Sequence, residues 1–128
     1  MDFAFTEEQE LMTDSLRKAY EANYEFEKRQ VVLEDTAATY SIEMWKALAE
    51  NGFIGLLAPE ESGGVGGEGT DLMAVALEMS RHLALEPFLS TSVMGVRALI
   101  TAGTELQKTK IFPEVLSGES NLAVALYE

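Results

Sequence analysis

The chain has 128 residues and a mass of 14.0 kDa, a length suited to a single domain. Nine Lys and Arg stand against 22 Asp and Glu, a formal charge of −13 spread along the whole chain; nucleic acid, which needs clustered cations, is excluded, and anionic lipid is disfavoured. Cysteine is absent, which removes disulfides and thiolate metal sites.

No apolar run approaches the roughly 20 residues of a membrane span. No basic head precedes an apolar stretch at the N-terminus, so no secretory signal is expected and the expected compartment is the cytoplasm.

In chain order the pattern is almost wholly helical. Thr6-Glu7-Glu8-Gln9 is a capping-box start, and Met12, Leu16, Ala19 and Tyr20 follow on one helical face. A second helix is predicted from Tyr24 to Leu33, with Phe26, Val31 and Val32 as its apolar contributors. Ser41 caps a third, apolar at Trp45, Leu48 and Ala49, and Gly52 suits its stop.

Thr70 or Asp71 opens a fourth helix, apolar at Leu72, Val75, Met79 and Leu83 and also at Met73, Ala76 and Leu77. So wide an apolar surface predicts burial. Pro87 is expected to end or bend it. A fifth spans Ser90 to Ala102 and stops at Gly103. Thr104-Glu105-Leu106-Gln107 is a second capping box, starting a sixth helix with a kink at Pro113 and an end before Gly118.

Leu122 to Tyr127 is a short continuous apolar run after turn residues, which predicts a strand. A chain reaching its first good strand here suggests the edge of a further domain. The expected architecture is an all-α orthogonal bundle of about six helices over residues 1–120, with residues 121–128 beginning a truncated β domain.

Gly64-Val65-Gly66-Gly67-Glu68-Gly69 matches the G-x-G-x-x-G spacing of dinucleotide turns. Pro59 to Ser62 separate it from the apolar run, acids surround it, and no Lys or Arg occurs between Lys46 and Arg81. A pyrophosphate site needs the opposite. The loop is read as a glycine-permitted crossing between helices.

No catalytic constellation stands out. His82 is the single histidine, so a histidine-paired metal site is not expected, and its apolar neighbours suit a satisfied or half-exposed helical residue. Glu7, Glu8 and Glu10 suit a solvated first turn. Ser90, Thr91 and Ser92 sit at a helix start, where hydroxyls usually cap. No catalytic residue and no metal ligand is assigned.

Four stretches carry a family resemblance: "MDFAFTEEQELM", "WKALAENGFIGLLAPEESGGVGG", "ALITAGTELQKTKIFPEVLSGE" and "LAVALYE". Together they resemble the N-terminal helical domain of the acyl-CoA dehydrogenases over essentially the whole chain. "YEFEKRQ" and "LALEPFLSTSVMG" are similar to the smaller subunit of two-subunit enzymes acting on dicarboxylyl- or steroid-side-chain-CoA thioesters.

The resemblance implies an FAD enzyme that forms the Cα=Cβ double bond of an acyl-CoA. A carboxylate base takes the α proton, a hydride passes to the flavin, and electrons leave to an electron-transfer flavoprotein or similar acceptor. The base and most FAD contacts are expected from middle and C-terminal domains, so this stretch alone is expected to be inactive. A homo- or hetero-tetramer is implied.

Two areas are expected to touch ligand. Leu126 and Tyr127 stand where the family commonly reads threonine beside the flavin; Tyr127 suits either a stacking or filling role there or packing at the domain junction. By position, Phe88, Leu89, Ser92, Val93 and Val96 would line the far end of the acyl pocket. Leu89, Val93 and Val96 share one α-helical face, which core packing explains equally well. A non-catalytic helical interaction module, or a supporting subunit without flavin, is the alternative.

Overall fold

The computed structural model describes residues 4–35, 37 and 39–125. They form an all-α fold of six helices: α1 (Glu7–Asn23), α2 (Phe26–Glu34), α3 (Ile42–Glu50), α4 (Gly69–Arg81), α5 (Val96–Ala102) and α6 (Glu105–Leu116). A 3-10 turn at Glu60–Ser62 and a π-helical turn at Leu89–Gly95 complete the order.

Both capping boxes form. Thr6 Oγ1 accepts the Gln9 amide at 3.2 Å while Gln9 Oε1 accepts that of Thr6 at 3.1 Å. Thr104 and Gln107 repeat the exchange. Ser41 Oγ caps α3 by accepting Met44 N–H at 3.1 Å. Each such cap contributes about 1 kcal/mol.

Three helices end in the same Schellman turn, in which two amides beyond the helix return to its last carbonyls. After α3, Gly52 N–H bonds Ala49 O and Phe53 N–H bonds Leu48 O. Leu83 and Ala84 close α4 on Ser80 and Met79, and Gly118 and Glu119 close α6 on Val115 and Glu114. The left-handed position is Gly52 (φ 78°), Gly118 (φ 77°) and, after α4, Leu83 (φ 51°), the one non-glycine residue with positive φ among the described residues.

Helix α4 therefore ends at Arg81, well before Pro87, which neither ends nor bends it. It begins at Gly69 behind Glu68 rather than at Thr70 or Asp71; Asp71 Oδ2 accepts Glu68 N–H at 2.8 Å from inside the first turn. Its apolar surface is only half used. Val75 and Met79 are buried, but Met73, Leu77 and Leu83 are exposed.

The core gathers Leu16 and Tyr20 of α1, Met44, Trp45 and Leu48 of α3, Ile54 and Leu56 of the following turn, Val75 of α4, and Val96, Phe112 and Val115. Burying each such aliphatic side chain contributes roughly 1.5–3 kcal/mol. Helix α1 packs on α3 and α4, and α5 packs on α6. By contrast α2 buries none of its side chains; Phe26 and Val31 face solvent. Its apolar residues at 26, 31, 32 and 33 encircle the helix instead of forming a stripe. Arg29 Nε ties it to the body through Leu83 O at 2.9 Å.

Of the strand expected from Leu122 to Tyr127, residues 122–125 are described and pair with no ladder, while residues 126–127 lie outside the described residues. Among the described residues there is no strand, and residues 121–125 are non-helical. Asn121 Nδ2 donates to Tyr40 Oη at 2.8 Å, and Leu122 is held by Thr91.

Candidate functional site

The residues expected by resemblance to line an acyl chain fall on the segment from Phe88 through the π-turn to Val96. Phe88, Ser92 and Val96 are buried, and Val93 is partly buried against the core. Leu89 is 67% exposed and turns away from them. The single α-helical face expected of Leu89, Val93 and Val96 is not formed. The chain is wound i→i+5 from Leu89 to Gly95, so residues spaced for a 3.6-residue period no longer superimpose.

The hydroxyls here do not cap in the expected way. Ser90 Oγ donates to Pro87 O at 3.1 Å. Thr91, wholly buried, serves Leu122. Ser92 Oγ is buried and has no hydrogen-bond partner among the described residues. An unmet buried hydroxyl costs about 1–3 kcal/mol, and so marks a place where packing alone would favour alanine. Beside the turn, a shallow groove of about 280 Å³ is lined by Gly95, Ala98, Leu99, Ala102, Leu122 and Val124.

The glycine loop has spent its amides. Gly63 bonds Glu60 O, Gly64 bonds Pro59 O, Val65 bonds Gly55 O, Gly66 bonds Ala58 O and Gly67 bonds Leu56 O. Glu68 N–H goes to Asp71. A phosphate cradle needs such amides free and convergent, and here they close the loop on itself. The glycine loop thus does not fit the pyrophosphate of FAD. Leu126 and Tyr127 lie outside the described residues.

One buried charge centre was not foreseen. Glu78 of α4 is 2% exposed and receives Arg17 Nε at 3.0 Å, Arg81 Nη1 at 2.7 Å and His82 Nε2 at 3.3 Å. Burial pushes its carboxyl up, but Arg17, His82 and Arg81 together hold it below the usual range. His82 also stacks on Tyr20, centroids 4.8 Å apart. The i, i+3, i+4 spacing of Glu78, Arg81 and His82 at the end of α4 was a readable signal; the reach of Arg17 was not.

A second buried carboxyl, Glu86, accepts Tyr20 Oη–H at 3.3 Å on Oε2, while Oε1 has no partner at hydrogen-bond geometry among the described residues. Burial pushes Glu86 up, and burial with the nearby Glu86 pushes Tyr20 up. Both serve the core. No group of three or more His, Cys, Asp or Glu among the described residues is arranged to hold a metal. Nor is any helix there long and apolar enough to cross a membrane.

Six helices, with a glycine loop closed on its own backbone, define an all-α fold among the described residues. The profile of the family described as "Acyl-CoA dehydrogenase, N-terminal domain" matches residues 6–119, and the chain belongs to the acyl-CoA dehydrogenase family.

Two curated relatives are each 34% identical. One is a 3-(aryl)acrylate reductase of Clostridium sporogenes, matched over 97% of this chain; the other is a probable acyl-CoA dehydrogenase of Escherichia coli, matched over 100%. A solved variant of the Tcur3481-Tcur3483 steroid ACAD superposes with a TM-score of 0.82 at 28% identity, covering 95% of this chain and 33% of that one. This chain spans 33% of the length of either curated relative.

Proposed function

We propose that this chain is the N-terminal part of an FAD-dependent acyl-CoA dehydrogenase that forms the Cα=Cβ bond of an acyl-CoA thioester. In this reading it supplies the far wall of the acyl pocket and a packing surface for the other domains, and is inactive alone. The observation that carries the reading is the π-turn. Along it and at its two ends Phe88, Ser92 and Val96 are buried and Val93 partly so, and Ser92 Oγ has no hydrogen-bond partner among the described residues, in a chain of this family.

The chemistry is assigned elsewhere in the full-length protein. FAD is held mainly by parts beyond this chain, as the spent glycine amides and the acidity support. Leu126 and Tyr127 remain proposed flavin neighbours. The small Ser92 and Gly95 leave room for a bulky or branched acyl group, in keeping with the likeness to a steroid ACAD. A homo- or hetero-tetramer and an electron-transfer flavoprotein or similar acceptor complete the reading, with the cytoplasm as its compartment. A supporting subunit without flavin is the second reading, favoured by Tyr127 where the family commonly has threonine.

The test is Ser92→Phe in the full-length protein, assayed across CoA thioesters of increasing length. The substituted enzyme is expected to accept shorter chains. An unchanged length profile would overturn the pocket assignment, and a colourless wild-type protein would favour the supporting subunit.

A further inference from the structure

Leu122 rests on the π-turn through one side chain and one missing side chain. The hydroxyl of Thr91 accepts Leu122 N–H at 3.1 Å and donates to Leu122 O at 3.3 Å. A single hydroxyl has the proton and the lone pairs for both, so it does for this residue what a neighbouring strand would do. Four residues on, Gly95 offers bare backbone. A Cβ there would fall on the Cβ of Leu122.

Their spacing explains why both are available. Four residues apart, as helical neighbours on one face are, Thr91 and Gly95 lie together on the buried side of the same turn, next to Ser92 and Val96. Leu122 is partly buried against the core and lines the groove beside Gly95. The segment at Leu122 therefore rests on the same turn that carries Ser92 and Val93 of the proposed acyl wall.

We propose that Thr91 is a positioning residue for acyl-chain selection: by clamping Leu122 onto Gly95 it fixes the π-turn, and with it Ser92, Val93 and Val96, at one depth. The proposal rests on the acyl-pocket reading above and adds to it a residue whose own hydroxyl is turned to the backbone of residue 122.

The test uses the full-length protein with Thr91→Val, which keeps the shape and removes the hydroxyl, and Thr91→Ser, which keeps the hydroxyl. Two quantities are read: exchange of the Leu122 amide by mass spectrometry, and the ratio of kcat/KM for long over short CoA thioesters. Thr91→Val is expected to speed Leu122 exchange about tenfold, the order of one lost buried hydrogen bond. It is also expected to shift the length preference, with Thr91→Ser restoring both.

Unchanged exchange in Thr91→Val would overturn the clamp. Faster exchange with an unchanged length ratio would overturn the positioning role while leaving the acyl-pocket reading intact. A wild-type protein inert toward every CoA thioester would overturn the reading and the selection role together; the exchange measurement would still decide the clamp.

Discussion

Arg17 on α1 grips Glu78 on α4 with two nitrogens, Nε to Oε1 at 3.0 Å and Nη2 to Oε2 at 3.2 Å, across 61 residues of sequence. The fork fixes the register of the two helices that carry much of the core. Arg81 and His82 then close the remaining sides of a carboxylate that is almost wholly inside.

Glu78→Gln is expected to cost about 2 kcal/mol at neutral pH, because charge-assisted hydrogen bonds are weakened while both arginines keep access to water. The pH dependence has a definite sign. A carboxyl held below its ordinary 4.5 stabilises the fold above that value and loses the contribution as pH falls through the lowered one. Urea midpoints of wild type and Glu78→Gln should therefore draw together as pH falls below about 4.5 and meet once it has passed the lowered value. Parallel curves down to acid would show that the pair contributes no charge-dependent stability.

Glu86 predicts the opposite trend. Its folded pKa lies above the ordinary 4.5, so its contribution is fully present below 4.5 and is lost as pH rises through the raised value. Glu86→Gln keeps an oxygen for Tyr20 and removes the charge. The substituted protein is expected to match wild type near pH 4 and to exceed it at pH 7 by about 1 kcal/mol. A loss of stability at pH 7 would mean that the ionised carboxylate is partnered.

Two glycines a few residues apart should respond in opposite directions. A Cβ on Gly64 would fall on the carbonyl of Ala58, backbone that has nowhere to move, and Gly64→Ala is expected to cost about 3 kcal/mol. Gly69, the first residue of α4, has nothing within 4 Å of such a Cβ. Gly69→Ala should stabilise by about 0.5 kcal/mol through the unfolded chain. Thermal unfolding of the two variants measures both; equal effects would mean that the loop is slack.

What the sequence made legible was what neighbours in sequence decide. Thr6 with Gln9, Thr104 with Gln107, Ser41 with Met44 and the stop at Gly52 all lie within a few residues of one another, and each formed. The start of α4 was misplaced because Glu68 is a rare cap and the telling bond comes from Asp71, which looked like the cap itself. Leu83 gave no warning, since a branched apolar residue is not the expected left-handed stop.

At the candidate site the residue types were readable and their arrangement was not. Of the residues expected to line an acyl pocket, Phe88, Ser92 and Val96 are buried in the domain, and Leu89 is carried outward by a winding that no local pattern announces. Its companion is Leu122, 31 residues beyond Thr91. The apolar run from Leu122 looked like a strand because its side chains suit one. Among the described residues its first member, Leu122, bonds a threonine, which no alternation of residues could show.

The Schellman endings bear on how the chain tolerates length. Each locks two amides to two carbonyls behind a residue with positive φ, so a residue added inside α3 or α4 has no frayed end to slide into. It must be taken up within the helix itself. A π-turn is such an uptake: one residue more than the helix needs, swallowed without breaking the rod. Between Leu89 and Gly95 the chain keeps that surplus, and Gly95 at its end gives the neighbouring segment bare backbone to lie on.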